Sequence, residues 1–386
     1  MSTSTARTMS LRRPFFPEVS STSRASTAAF FWGVDHCRSG SPSPVLLKTT
    51  NRRLRRFFST ASPASSTRTG TPSTSSRVGF IGIGRMGAPM SAHLHKKFGP
   101  VSIWNRTPDC SAKHSAEHGT LVVNSVEDFE CPIVFCCLPT SKEVRDMAER
   151  LIESKRRNGK VSTLIDCTSG SFAQTIATGE LLAKEGISLV DCPISGGPRG
   201  AQSGTLTAML GGNNSEHLAT ASELASAFAN KVEQTGPLGS AHAVKSINNI
   251  LNSANLAVAV EGLLALRKVL GPDLDIARAL ACINASSGRS LQSEARVPEE
   301  VLSRRFGYGF DLLLMQKDCS AARELLTLRD EETSLLPRVA RLLDDAASFY
   351  GKECEAARKD GDIVDYTYIA RYLEEKAGYE LRGSSK

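Results

Sequence analysis

None of the ten cysteines is spaced Cys-x-x-Cys, which argues against a disulfide frame and a zinc site alike. Cys136, Cys137, Cys167 and Cys192 lie within or beside short apolar runs, where reduced core thiols belong. His114 and His118 stand four apart on an expected helix with no further ligand pattern. They read as a solvated face, and no metal is expected. The first 76 residues lack an apolar run of signal-peptide length. They are also nearly without acid: Glu18 and Asp35 face eleven basic side chains, a net +9, so the rest of the chain carries −2 of the total +7. The basic balance belongs to this leader, and the remainder gives no reason to invoke nucleic acid. An uninterrupted membrane span is missing too. The apolar stretch 242–270 is broken by Lys245, Asn248, Asn249, Asn252, Asn255 and Glu261, which a bilayer would not tolerate cheaply; it reads as a buried helix of a soluble protein.

What is present divides the chain. Residues 1–76 are rich in Ser, Thr and Arg, the composition of a disordered organelle transit peptide. Arg55-Arg56-Phe57-Phe58-Ser59-Thr60 resembles a mitochondrial processing site, and a plastid address is the alternative. The remaining 310 residues suffice for two domains. Short apolar runs alternate with helical stretches over residues 77–238, the signature of a parallel sheet with crossover helices. From 239 to 386 the pattern is helical. The expected fold is therefore α/β followed by all-α, the second part opening on a long interdomain helix.

The organising stretch is Val78-Gly79-Phe80-Ile81-Gly82-Ile83-Gly84-Arg85-Met86-Gly87. An apolar strand enters Gly-x-Gly-x-x-Gly and continues into a helix. Such a turn needs its first glycine to bend sharply, its second to admit a pyrophosphate, and its third to let helix and strand pack. The helix N-terminus then offers free N–H groups and a positive dipole end. We expect a dinucleotide cofactor here. A second strand, Val101-Ser102-Ile103-Trp104, ends at Asn105-Arg106-Thr107. An NAD site usually places an acid at this end for the ribose hydroxyls, whereas an arginine suits a 2′-phosphate. Asn105 followed by Arg106 favours NADP(H), with NAD(H) possible.

Ile133 to Pro139 reads as the next strand, stopped by that proline, and Thr140-x-x-Glu143 as a capping box. Ser162 to Asp166 reads as a further strand, followed by Cys167-Thr168-Ser169-Gly170. Strand ends of this kind meet the ligand crevice, making Leu138, Pro139 and Ser169 candidate cofactor contacts. Leu189 to Gly200 leaves a strand for a Gly-rich turn; a plain tight loop and a carboxylate cradle at Ser195-Gly196-Gly197 are both open. Ala208-Met209-Leu210 looks like another strand, and Ser215 to Ala229 a helix closing the first domain. Lys245 and Asn249, four apart, share a face of the long helix. On spacing alone a lysine here reads as solvated surface, and composition gives no reason to prefer catalysis, although its apolar surroundings suit a surface residue less well.

At this point the chain resembles the β-hydroxyacid dehydrogenase family, within the superfamily typified by 6-phosphogluconate dehydrogenase. The likeness rests on GFIGIGRMGAPM, on DCPISGGPRGAQSGTL from Asp191 to Leu206, on GSAHAVKSINN from Gly239 to Asn249, and on FDLLLMQKD from Phe310 to Asp318. Ile283 to Ser290 and the tail VDYTYIARYLEE extend it over essentially all of residues 77–386. The resemblance implies a Rossmann domain, a helical domain that forms homodimers or homotetramers, and reversible hydride transfer on a small 3-hydroxy acid. Lys245 would be the catalytic lysine and Asn249 its helper; Ser195, Gly196 and Gly197 would hold the substrate carboxylate, and Lys317 would close on cofactor and substrate. Burial and the Lys317 charge are expected to depress Lys245. 3-Hydroxyisobutyrate is the first candidate substrate. Two departures favour the alternative, an NADPH-linked reductase of glyoxylate, succinic semialdehyde or tartronate semialdehyde: the Asn105-Arg106-Thr107 end, and Ser290-Leu291 where an aromatic often follows SSGR. A non-catalytic cofactor-binding scaffold is a third reading, against which stands the presence of Lys245 and Asn249.

Overall fold

The structure is a computed structural model and describes residues 78–326 and 334–383; the leader read at 1–76 lies outside the described residues. Six short strands form a parallel sheet: β1 (Val78–Ile81), β2 (Val101–Trp104), β3 (Leu121–Val122), β4 (Ile133–Cys136), β5 (Thr163–Asp166) and β6 (Ser188–Asp191). Their order is β3-β2-β1-β4-β5-β6, so the chain reverses direction across the sheet between β1 and β4. Crossovers run through α1 (Gly87–Phe98), α2 (Pro108–His118), α3 (Ser141–Asn158) and α4 (Phe172–Lys184). Register places Trp104, Ile81, Cys136, Asp166 and Asp191 in one row at the strand ends. That row is the rim on which an open α/β sheet binds ligands. Apolar clusters fill both faces, with Phe80, Phe135 and Phe228 on one and Phe129, Leu151 and Leu164 on the other.

Beyond β6 the sheet turns mixed. β7 (Ile194–Ser195) and α5 (Gly197–Ser203) carry the Gly-rich turn, and β8 (Leu206–Gly211) runs antiparallel to β6 and β7. The helix expected over 215–229 is shorter: α6 (Ser215–Ala225) stops, and β9 (Ala229–Gly236) adds a ninth strand parallel to β8. β9 is an edge strand with only Ala229 buried, so its sequence carries no apolar run to announce it. His114 also departs from expectation. Its ring is buried, meeting Ser91 Oγ and the Ala88 carbonyl through Nε2 and Thr120 Oγ1 through Nδ1; it fastens α2 to α1 and is no solvated face.

α7 (Ser240–Leu270) follows, then α8 (Ile276–Asn284), a π-helical segment Gln292–Leu302, α9 (Leu312–Arg323), α10 (Leu335–Phe349), α11 (Gly351–Lys359) and α12 (Tyr368–Ala377). α7 has no acid in its first turn and two bases, Arg267 and Lys268, in its last. The missing charge comes from β6: Asp191 accepts from the N–H groups of Gly239 and His242 at 2.9 and 3.0 Å. A carboxylate at a helix N-terminus satisfies orphan donors and opposes the helix dipole. One face of α7 packs against the π-helical segment, α9, α10 and α12, the core of the helical half.

Candidate active site

The three glycines of the first turn differ in what a side chain would meet. Gly82 has φ +94°, and a Cβ there would lie 2.4 Å from the Cys137 carbonyl. At Gly87 a Cβ would lie 1.9 Å from the Gly82 carbonyl, so only glycine lets α1 approach β1 this closely. Gly84 is different: a Cβ would meet nothing within 4 Å. No protein neighbour explains that bare position, whereas a pyrophosphate approaching the backbone does. α1 begins without a side-chain cap, leaving N–H groups for the same anion. The residues therefore fit a dinucleotide.

At the end of β2, Asn105 Oδ1 accepts from the Ile83 N–H at 3.0 Å, and its amide donates to the Thr107 carbonyl at 3.1 Å. Asn105 thus shapes the glycine turn itself. Arg106 and Thr107 follow it, exposed. At the start of α3, Thr140 Oγ1 accepts from the Lys142 N–H at 3.2 Å while Glu143 closes on the same hydroxyl, a variant of the expected box.

A cleft of about 260 Å³ opens beside this turn. Arg85, Met86, Leu138, Pro139 and Ser169 line it from the sheet side; Ser195, Gly196 and Gly197 come from the Gly-rich turn, and Lys245, Asn249 and Lys317 from the helices. Sequence reading had assigned all of these to one site, and the fold brings them together. Gly196 and Gly197 take φ +130° and +64°, conformations that other residues adopt only with strain, and which turn the chain past Ser195 into α5. Leu291, flagged beside SSGR, is instead 67% exposed and absent from the cleft wall.

Lys245 is only 8% exposed. Burial pushes its ammonium below the ordinary lysine value, and the Asp318 carboxylate partly opposes this. The expected contribution of Lys317 is not what lowers it. Lys317 Nζ donates to the carbonyls of Pro139 and Ser169 at 2.8 and 2.7 Å and pairs with Asp318 at 3.1 Å. Asp318 in turn accepts from Asn249 Nδ2 at 2.7 Å; burial pushes its pKa above the ordinary carboxylate value, against the pull of Lys317 and Lys245. A buried carboxylate between two lysines is thus the centre of the cluster, and spacing gave no sign of it. His242, one turn before Lys245 and fully buried, meets Thr175 Oγ1 at 2.7 Å and donates from Nε2 to the Thr168 carbonyl at 2.8 Å. It ties the start of α7 to the sheet rim. Asn248, Asn252, Tyr308 and Phe310 also line the cleft. The arrangement can hold an anion at the Gly-rich turn and exchange a proton with it through a poised amine.

Comparison with known proteins agrees with this geometry. Residues 77–236 match the profile described as the NAD binding domain of 6-phosphogluconate dehydrogenase. Residues 239–358 match that described as NAD-binding of NADP-dependent 3-hydroxyisobutyrate dehydrogenase. The chain is 31% identical over 252 residues to 2-(hydroxymethyl)glutarate dehydrogenase of Eubacterium barkeri, covering 64% of this chain and 81% of that protein. It is 32% identical over 259 residues to human mitochondrial 3-hydroxyisobutyrate dehydrogenase, 65% of this chain and 75% of that one. Among solved structures, the Mycobacterium tuberculosis 3-hydroxyisobutyrate dehydrogenase with L-serine superposes with TM-score 0.65 at 24% identity, over 77% of this chain and 98% of that chain, a likeness of fold.

Proposed function

This chain belongs to the β-hydroxyacid dehydrogenase family, an NAD(P)-dependent oxidoreductase, and from that premise we propose that it interconverts a small 3-hydroxy acid and its semialdehyde, with 3-hydroxyisobutyrate, as in valine degradation, the first candidate. The observation that carries the reading is the buried Lys245 amine in the wall of a cleft shared by the glycine turn and Ser195-Gly196-Gly197. A bound nicotinamide supplies the hydride acceptor or donor. Ser195 and the glycine backbone hold the substrate carboxylate. Lys245 takes the hydroxyl proton during oxidation and returns it to the carbonyl oxygen during reduction; Asn249 orients that exchange without adding charge, and Lys317 braces the cleft against the sheet rim. A general acid–base group of this kind contributes on the order of 10² to 10⁴ in rate.

NADP(H) is the proposed cofactor, supported by Asn105 in place of an acid and by exposed Arg106 beside it. Glyoxylate, succinic semialdehyde and tartronate semialdehyde are the alternative substrates, favoured by the same strand end. The protein is proposed to work in mitochondria, on the composition of residues 1–76, and as a homodimer or homotetramer. The latter is supported by Val244, Leu251 and Val258, which lie exposed at seven-residue spacing along α7.

The test is a substrate panel run with both nicotinamide cofactors. Turnover of 3-hydroxyisobutyrate or one of the semialdehydes is expected, and Lys245→Ala should lose at least 10²-fold in kcat while still binding NADPH. Turnover of none of them refutes the activity; unchanged kcat in Lys245→Ala removes the lysine from it. Arg106→Ala should lower the NADPH-over-NADH preference about tenfold or more, losing a charge-assisted contact to the 2′-phosphate. An unchanged ratio overturns the cofactor assignment.

A further inference from the structure

One wall of the cleft is built by a hydrogen-bond relay that reaches it from the helical core. Tyr366, fully buried, donates its hydroxyl proton to Gln292 Oε1 at 3.2 Å. Gln292, 4% exposed, gives its amide to Asn252 Oδ1. Asn252 lines the cleft. The relay has a direction. The Arg296 guanidinium stacks on the Tyr308 ring at 3.8 Å, and its charge favours the ionised form of the buried Tyr366 phenol against the upward push of burial. The Tyr366 hydroxyl donates to the Gln292 carbonyl, so the Gln292 NH₂ is the end that faces Asn252.

The consequence falls on Asn252. Its oxygen is taken, which leaves Nδ2 as its free end, with no acceptor for it among the described residues. The neighbouring amides are spent otherwise: Asn248 donates to Asn249, and Asn249 to Asp318. Asn252 is seven residues beyond Lys245, on the same face of α7 and ~10.5 Å along its axis. It therefore stands at the end of the cleft remote from the proton-transfer amine.

We propose that Asn252 is a specificity-determining donor that reads an oxygen acceptor on the substrate end away from the reacting carbon, so that within the proposed class of small 3-hydroxy acids those with a polar substituent there are preferred over 3-hydroxyisobutyrate with its methyl. This deepens the activity proposed above and rests on it. An alkyl end leaves the Asn252 donor without a partner in a partly desolvated site, which costs binding. Tyr366 and Gln292 act through Asn252 as positioning residues.

The experiment measures binding of three unreactive acids to the full chain saturated with NADPH: valerate with an alkyl end, 4-methoxybutyrate with an ether oxygen, and glutarate with a carboxylate. Calorimetry should find the two oxygen-bearing acids about three- to tenfold tighter than valerate. Asn252→Leu should erase that ratio. Asn252→Asp, nearly isosteric and so a control for folding, should turn the ratio against glutarate. Tyr366→Phe should reduce it, because the relay loses the proton that orients Gln292. Equal binding of all three acids to the wild type, or a ratio untouched in Asn252→Leu and Asn252→Asp, overturns the assignment. Hydroxy acids turned over without such selectivity sink Asn252's role alone. Selectivity without turnover of any hydroxy acid sinks the activity and leaves Asn252 as the reader of a bound acid.

Discussion

Asp318 sits between the Lys245 and Lys317 ammonium groups and accepts from Asn249. Its charge is what holds Lys245 up against the downward push of burial. Asp318→Asn removes that support while keeping the shape, so Lys245 should fall further below its ordinary value. Oxidation needs the neutral amine. The acid limb of its kcat/KM profile should therefore move to lower pH, and reduction, which needs the ammonium, should lose rate earlier on the alkaline side. Profiles in both directions check this; limbs that stay in place, or move upward, remove Asp318 from the control of the lysine. Little of this arrangement was legible beforehand. Lys245 could be singled out only through the motif around it, since a lysine on an apolar helix is more often a surface residue with a buried stem. Asp318 lies 69 residues from Asn249, and a contact of that range leaves no local pattern to read.

At the scale of elements, the strand–turn–helix at Val78–Phe98 was the most readable part, because its glycine requirements are local. They also separate cleanly by experiment. Gly84→Ala adds a methyl that meets no protein atom within 4 Å, so stability should stay within about 0.5 kcal/mol while NADPH binding weakens tenfold or more. Gly87→Ala drives a Cβ to 1.9 Å from the Gly82 carbonyl and should lower the melting temperature clearly. Paired thermal melts and cofactor titrations decide; Gly84→Ala with undiminished binding would deny that the bare position faces the cofactor. β9 was the least readable element. Asn230, Lys231, Glu233 and Gln234 are exposed on it, and its strand character comes from the β8 edge rather than from its own side chains. His114 misled for a related reason: a buried histidine satisfied by Ser91, Ala88 and Thr120 has the same sequence spacing as an exposed one.

Across the whole molecule, the sheet half and the helical half are joined at the start of α7 by Asp191 and His242, through Ser171 to Glu324, and by Lys317, which bonds the Pro139 and Ser169 carbonyls. Lys317→Met removes both while keeping most of the side-chain length. It should raise KM for cofactor and substrate together, and amide exchange near Leu138 and Ser169 should speed up. A rise in only one KM would mean that the lysine contacts that ligand alone and does not brace the two halves. The two-part architecture itself was legible, since the change at Gly239 from short apolar runs between helical stretches to helical periodicity alone is a property of long segments. Which side chains cross between the parts was not.

The Asp191 cap and the His242 anchor have one more outcome. Together they weld the first turn of the long helix to the sheet rim, so the amine of Lys245 is a passenger of the nucleotide half although it belongs to the helical sequence. The His242 and Lys317 bonds land side by side on that rim, at the Thr168 and Ser169 carbonyls, so the proton-handling group is pinned to the strand ends both through its own helix and through the helix that faces it.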